Sequence, residues 1–306
     1  MSLIVKDISK SFKELNALQE LSLEIREGEL FGVIGPDGAG KTTLFRIMAS
    51  LMLPDTGSCN ILGYDTVKDF REIRRMIGYM PGRFSLYMDL TVEENLDFYA
   101  RVFGSSIEDN YDLVKDVYEQ IAPFRKRRAG KLSGGMKQKL ALSCALIHRP
   151  RVLILDEPTT GVDAVSRQEF WEMLKKIQAE GITIVVSTPY MDEAELCDRV
   201  ALMQKGRLLH VSSPGELGES EESLLFSLRS EKGVYAHLER LRGLSGVKHA
   251  WLFGDSLHVS LHEACDVSAV EKELRHWNDP SLQWNAITPG IEDRFISLLA
   301  EEETGL

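Results

Sequence analysis

The stretch Leu30-Phe31-Gly32-Val33-Ile34-Gly35-Pro36-Asp37-Gly38-Ala39-Gly40-Lys41-Thr42-Thr43 decides the fold of this chain. Its first five residues are apolar without alternation and read as a strand buried on both faces. The segment from Gly35 to Thr42 matches G-x-x-x-x-G-K-[ST], and the apolar-periodic LFRIMASLM beyond it reads as a helix. Strand, loop and helix in this order form a phosphate cradle. Glycines let successive N–H groups close round a phosphate, and the following helix turns its positive dipole end toward the anion. Lys41 is placed to reach the β and γ oxygens, and the Thr42 hydroxyl to ligate Mg²⁺. Gly35, Pro36, Asp37, Gly38, Ala39, Gly40 and Thr43 complete the nucleotide-binding loop.

Two further buried strands are read at 152–155 and 182–186. In open α/β sheets, ligand-binding groups gather beyond the carboxyl ends of the strands. The first of these strands ends in Leu155-Asp156-Glu157-Pro158. Asp156 is positioned to hold Mg²⁺, directly or through water, and Glu157 to polarise an attacking water. A strand ending in Asp-Glu is weak by itself and gains its meaning from the phosphate loop. A third motif is LSGGMKQKL, from Leu132 to Leu140. Ser133 suits an N-cap, and Gly134 and Gly135 bare the first turn, so the helix offers N–H groups to an anion. Ser133 lies 92 residues beyond Lys41 and 23 before Asp156.

GPDGAGKTT, LSGGMKQKL, LILDEPTTGVD and STPYMDEAE, in this order and spacing, resemble the ATP-binding cassette family over roughly residues 3–213. The wording of the third motif and the appended C-terminal region look most like ATPase subunits of ABC-2-type and multidrug exporters. The resemblance implies an α/β fold: a P-loop NTPase core with an antiparallel β subdomain and a helical insert. It implies ATP and Mg²⁺ as ligands, and two nucleotide-binding domains, of the same or a homologous chain, pairing head to tail. Ser133, Gly134 and Gly135 would then face a partner's nucleotide. Phe12 would stack on adenine, although an aromatic on an early strand reads almost as well as core. Asp163 would belong to the loop coupling the two sites. A transmembrane permease subunit is the second implied partner. The interval of 92 residues leaves no room for the long coiled coil of chromosome-maintenance relatives, and only one set of motifs is present.

Composition is compatible with this. The chain has 306 residues, 43% hydrophobic and 27% charged, with a formal charge of −11. That acidity argues against a nucleic-acid partner, which needs a basic stripe; Arg125-Lys126-Arg127-Arg128 reads as a solvated helix end. Four scattered cysteines fit a reducing compartment and no metal site. The start MSLIVKDISKSF is charged too early for a secretory signal, and no apolar run approaches the ~20 residues of a bilayer span. The expected location is cytoplasmic, on the inner face of the cell membrane through the permease.

The organisation expected is a nucleotide-binding domain over 1–218, with a helical insert at about 84–150, and an appendage over 219–306. The polar acidic run at 218–223 reads as the linker. Beyond it a small α+β domain is expected: strands at 224–228, 247–253, 256–261 and 282–287, with helices at 234–244, 267–277 and 291–299. The second and third strands form a hairpin around Gly254-Asp255. Its tryptophans read as core and its histidines follow no metal spacing.

Two positions depart from the family pattern. Gly82, in IGYMPGRF, stands where the family has a glutamine that senses Mg²⁺ and water. Pro189, in STPYMDE, stands where it has a histidine that reaches the γ-phosphate. Loss of one preorganised donor typically costs on the order of 10²–10³ in rate, or ~3 kcal/mol, and two losses need not add. Three readings are therefore open. The chain is a competent ATPase with Thr188, Tyr190 or Arg83 covering the gaps; or it binds ATP, turns it over slowly and completes an active site on a partner; or it is a regulatory ATP-binding module without a transport role. Arg83-Phe84-Ser85-Leu86-Tyr87 is the expected permease contact, with packing of the insert as the other reading.

Overall fold

The computed structural model describes residues 2–83, 85–219, 224–262, 265–277 and 279–304. Phe84 and the linker residues 220–223 lie outside them. The chain divides into two compact units, Met1–Ser213 and Pro214–Leu306. The division falls five residues before the boundary expected at 218/219. Pro214 does not end the first unit but opens a helix of the second, the first-turn position where its fixed φ suits a helix.

The first unit opens with β1 (Leu3–Phe12) and β2 (Leu15–Ile25), paired antiparallel, and then β3 (Leu30–Ile34). There follow α1 (Lys41–Met48), β4 (Thr56–Ile61), β5 (Tyr64–Asp65), α2 (Phe70–Met76) and β6 (Ile77–Met80). The insert contributes α3 (Val92–Val102), α4 (Tyr111–Tyr118) and α5 (Gly134–Leu146). The unit closes with β7 (Val152–Asp156), α6 (Ala164–Ala179), β8 (Thr183–Thr188), α7 (Met191–Ala194), β9 (Arg199–Gln204) and β10 (Arg207–Ser212).

These strands make two sheets, ordered β2-β1-β4-β5 and β10-β9-β3-β8-β7-β6. The first is antiparallel. In the second, β9, β3, β8, β7 and β6 run parallel and β10 closes the edge antiparallel. Every residue of β3, β7 and β8 is buried, as strands covered on both faces require. Leu44, Phe45, Ile47 and Met48 of α1 share one apolar core with Leu3, Val5 and Ile8 of the first sheet and Phe31, Ile154 and Val185 of the second. The phosphate-loop helix is thus fixed by both sheets.

The helical insert expected at about 84–150 is made of separate helices. Thr91 caps α3 with a reciprocal capping box to Glu94, while Gly104 ends that stretch with φ +73° and α4 begins only at Tyr111. Asn95 is fully buried. Its side chain accepts the Tyr87 N–H at 2.9 Å and donates to the Tyr87 and Thr91 carbonyls at 3.0 and 2.9 Å, clamping the 87–91 turn.

The second unit contains α8 (Pro214–Glu219), β11 (Leu225–Arg229), α9 (Leu238–Arg242), β12 (Val247–Phe253), β13 (Ser256–Leu261), α10 (Val267–Arg275), β14 (Gln283–Ala286) and α11 (Ile291–Thr304). The expected helix at 234–244 is a 3₁₀ turn at Tyr235–His237 running into the short α9. The βαββαβ order with antiparallel sheet order β12-β13-β11-β14 is the ferredoxin-like split βαβ arrangement. Leu228, Leu241, Leu257, Val259, Val270 and Trp277 lie in its core. Trp251 and Trp277 are buried and Trp284 is half-buried, stacked on Phe226 at 4.6 Å. Among the described residues no helix is long and apolar enough to cross a membrane.

Candidate active site

The loop between β3 and α1 is shaped by glycines that no other residue can replace. Gly38 and Gly40 sit at φ +80° and +104°, and a Cβ on Gly35 would lie 2.2 Å from the Met203 carbonyl oxygen of β9. Gly40 caps α1 in the left-handed conformation, with no side-chain acceptor for the first N–H groups of the helix. Pro36, Asp37 and Gly38 are exposed, Gly35 and Ala39 are buried, and Thr42 and Thr43 are half-buried. That is a cradle facing outward from a rigid base, with a helix N-terminus beneath it.

Lys41 is 3% exposed, and its ammonium donates to the Gly35 and Pro36 carbonyls at 2.7 and 3.1 Å. It also lies 3.1 Å from Glu157 Oε1. Thr42 Oγ1 donates to Asp156 Oδ1 at 3.2 Å. Residues 114 and 116 positions apart in the chain meet because β3 and β7 flank β8 in one parallel sheet and end at the same edge. Asp156 is the last residue of β7, and its register partner on β8 is Ser187. The Ser187 hydroxyl donates to Asp156 Oδ1 at 2.8 Å and accepts the Glu157 N–H at 2.9 Å. Glu157 itself holds φ +48°, an uncommon conformation for a residue with a side chain.

Burial raises the Asp156 carboxyl above the ordinary carboxylate range. The bonds from Ser187 and Thr42 work against this, as does the charge of Arg46, while Glu157 adds to it. Tyr79 lies close by, its phenol pushed up to about 12 by burial first and the Asp156 charge second. Thr42 and Asp156 supply hard oxygen donors of the kind Mg²⁺ takes. Among the described residues there is no group of three or more His, Cys, Asp or Glu side chains that could hold a metal.

The third motif forms a separate cluster. Ser133 caps α5, accepting the Met136 N–H at 3.3 Å, and Ser133 and Gly134 are exposed. A Cβ on Gly135 would lie 2.7 Å from Ser166 Oγ, at the start of α6. Asp163 caps that helix, accepting the Ser166 N–H at 3.0 Å and its hydroxyl at 2.8 Å. Ser133, Gly134 and Gly135 thus gather with residues 161–166, and the phosphate loop gathers with Asp156 and Glu157.

A profile of the ABC transporter family matches residues 18–160. The Nod factor export ATP-binding protein I of Burkholderia orbicola is 38% identical, over 97% of this chain and 96% of its own. The chain belongs to the ABC transporter ATP-binding family. The ABC transporter ATP-binding protein NatA of Bacillus subtilis is 36% identical over 78% of this chain and 98% of its own. The probable multidrug ABC transporter ATP-binding protein YbhF of Escherichia coli is 41% identical over 92% of this chain, which spans about half of that longer relative (49%). Among solved structures, a dimeric ATP-binding cassette in a post-hydrolysis state with ADP and phosphate matches with a TM-score of 0.63 and 27% identity. It covers 69% of this chain and 98% of its own. The fold is that of the P-loop ABC ATPase cassettes.

Against this family frame, two expectations change. Phe12 is not core: it is 44% exposed at the β1–β2 turn, with the Lys10 ammonium 5.7 Å from its ring centroid. Leu86 is buried at 8% exposure and packs the insert, whereas Tyr87 is 47% exposed against Phe98, ring centroids 4.6 Å apart. The two departures from the family pattern flank the site. A Cβ on Gly82 would lie 3.2 Å from the Asp156 carbonyl, so the glutamine position adjoins the Mg²⁺-ligand candidate. Pro189 follows Thr188, whose hydroxyl donates to Glu193 Oε2 at 2.5 Å. Sequence reading missed the part of Ser187. Its part follows from the β7–β8 register, which sets Ser187 opposite Asp156.

Proposed function

We propose that this chain is an ATP-binding and ATP-hydrolysing subunit of a membrane exporter, working as a head-to-tail pair of nucleotide-binding domains. The observation that carries the proposal is the convergence of Lys41, Thr42, Asp156 and Glu157 at one sheet edge beneath a glycine cradle. With ATP bound, the Lys41 ammonium exchanges the loop carbonyls for β and γ oxygens, and the freed N–H groups of α1 take the phosphates. Release of Glu157 from Lys41 leaves its carboxylate to orient a water in line with the γ-phosphorus. Displacement breaks the β–γ bridge bond and yields ADP and phosphate. Thr42 and Asp156 would hold Mg²⁺, which neutralises charge on the phosphate oxygens.

Ser133, Gly134 and Gly135 are then the helix start that closes over a partner's nucleotide, since Ser133 and Gly134 are exposed, Gly135 is packed behind them, and their neighbours are residues 161–166. Phe12, exposed on the turn after β1, is the candidate for the adenine. The permease contact is proposed at the groove of about 360 Å³ lined by Tyr79, Leu86, Tyr99, Val102 and Phe103. Tyr87 beside it is held by the Asn95 clamp. Closure on two ATP molecules shifts the pair to one conformation and hydrolysis returns it. The acting location follows as the inner membrane face, and the export direction rests on the names of the relatives. The second unit is proposed as a separate domain for dimer contacts or regulation.

A second reading, slow turnover at this chain's own site, is favoured by Gly82 and Pro189, which put no side-chain donor beside Asp156 or Thr188. Two assays decide. Purified protein with Mg-ATP should hydrolyse it, with Glu157→Gln abolishing turnover and Lys41→Ala weakening ATP binding. Turnover that survives Glu157→Gln contradicts the assignment. If the Gly82→Gln, Pro189→His double variant raises turnover, the slow-site reading holds.

A further inference from the structure

We infer that Glu193 is a positioning residue for ATP hydrolysis, ordering the turn after β8 in place of a side chain at position 189. This rests on the hydrolytic reading above. Glu193 lies in the short α7 and is 3% exposed. Its Oε2 accepts two hydroxyls, Thr159 at 3.0 Å and Thr188 at 2.5 Å. Thr159 stands two residues past Glu157, and Thr188 one residue before Pro189. One buried carboxylate therefore grips the two chain segments that follow β7 and β8 at the active edge of the sheet.

The grip extends across the proline. Thr188 Oγ1 also accepts the Tyr190 N–H at 3.0 Å, bridging a residue that has no N–H of its own. The Tyr190 ring carries the Arg167 guanidinium at 4.6 Å, and Arg167 Nη1 lies 3.9 Å from Glu193 Oε1. Oε1 has no hydrogen-bond partner, so the charge of the buried carboxylate is met by two hydroxyls and one distant guanidinium. Burying a carboxylate is costly, and in some proteins such groups fix the register of the segments they bond. What they hold here is the 157–159 and 188–190 pair. Ser187 ties the same segments at a second point, through Asp156 and Glu157. Two attachments fix an orientation where one leaves a hinge.

The test uses the full chain and four variants: Glu193→Ala, Glu193→Gln, Thr188→Val and Thr188→Ser. Steady-state kcat and KM for Mg-ATP, ADP affinity and melting temperature are measured for each. Positioning predicts that Glu193→Ala and Thr188→Val lower kcat about tenfold. KM and ADP affinity stay within about twofold, Glu193→Gln falls between, and Thr188→Ser, which keeps the hydroxyl, restores kcat. A purely structural role would lower melting temperature and ADP affinity together with kcat, or leave kcat unchanged in Thr188→Val; either result overturns the inference. Absence of turnover in the unmodified chain overturns the hydrolytic reading itself, and this inference with it.

Discussion

The phosphate-loop cluster and the Ser133 cluster are built from similar materials, glycines at a helix start beside a capping hydroxyl or a charged partner, yet they are finished differently. Lys41 is buried and bonded to two carbonyls and a carboxylate, and Thr42 reaches Asp156 across the sheet. Ser133 and Gly134 face outward, and Gly134 and Gly135 back onto residues 161–166. One cluster is complete within the chain. The other is a prepared surface whose own chain supplies no phosphate loop to it. A helix start that is rigid, glycine-bared and exposed is suited to an anion brought by something else. Gln138 joins the two: it is fully buried on α5 and donates to the Pro158 carbonyl, two residues past Asp156. A change at the Ser133 end of α5 therefore has a direct path to the Asp156 strand end.

The comparison breaks most readily at Lys41. Lys41→Ala leaves Glu157 without its counter-charge and the cradle without its ammonium, and ATP affinity should fall by on the order of 10²-fold, about 3 kcal/mol, by calorimetry. Retained affinity would remove the complete cluster from the account. Next in size, Ser133→Arg should leave ATP affinity unchanged and lower turnover by on the order of 10²-fold. If binding falls in parallel, the two clusters are one site. Gly135→Ala drives a methyl against Ser166 Oγ and Cβ, at 2.7 and 3.0 Å, and should cost about 1–3 kcal/mol in denaturant unfolding while binding persists. The smallest effect belongs to Ser187→Ala. It removes one bond to Asp156 and the acceptor of the Glu157 N–H, about 1 kcal/mol of stability. Turnover should fall more than ADP affinity does.

The two clusters were not equally legible in the sequence. The phosphate loop and the Asp-Glu strand end were readable because each carries its chemistry in contiguous residues of fixed type. β3, β7 and β8 announced themselves as unbroken apolar runs, the mark of strands covered on both faces. The role of Ser187 depends instead on register between β7 and β8, and that of Glu193 on where a four-residue helix turns its one buried carboxylate. No local pattern encodes either. The insert was legible as helical because Leu96, Phe98, Tyr99, Val102 and Phe103 keep helical spacing up to the point where Gly104 turns the chain. In the second unit the strands were legible by alternation. The ferredoxin-like order was not, because order depends on which strands pair across long separations. Leu86 and Tyr87 show the same limit on a smaller scale, being neighbours with opposite exposure set by the Asn95 clamp.

The Ser133 surface is proposed to complete a nucleotide site on another copy, and sedimentation tests this directly. Glu157→Gln protein, which under the proposed mechanism should bind ATP without consuming it, is sedimented with and without Mg-ATP. It should form dimers only with Mg-ATP. Adding Ser133→Arg should return it to monomer while ATP affinity is unchanged. ATP-dependent dimers that persist with Ser133→Arg would contradict the claim.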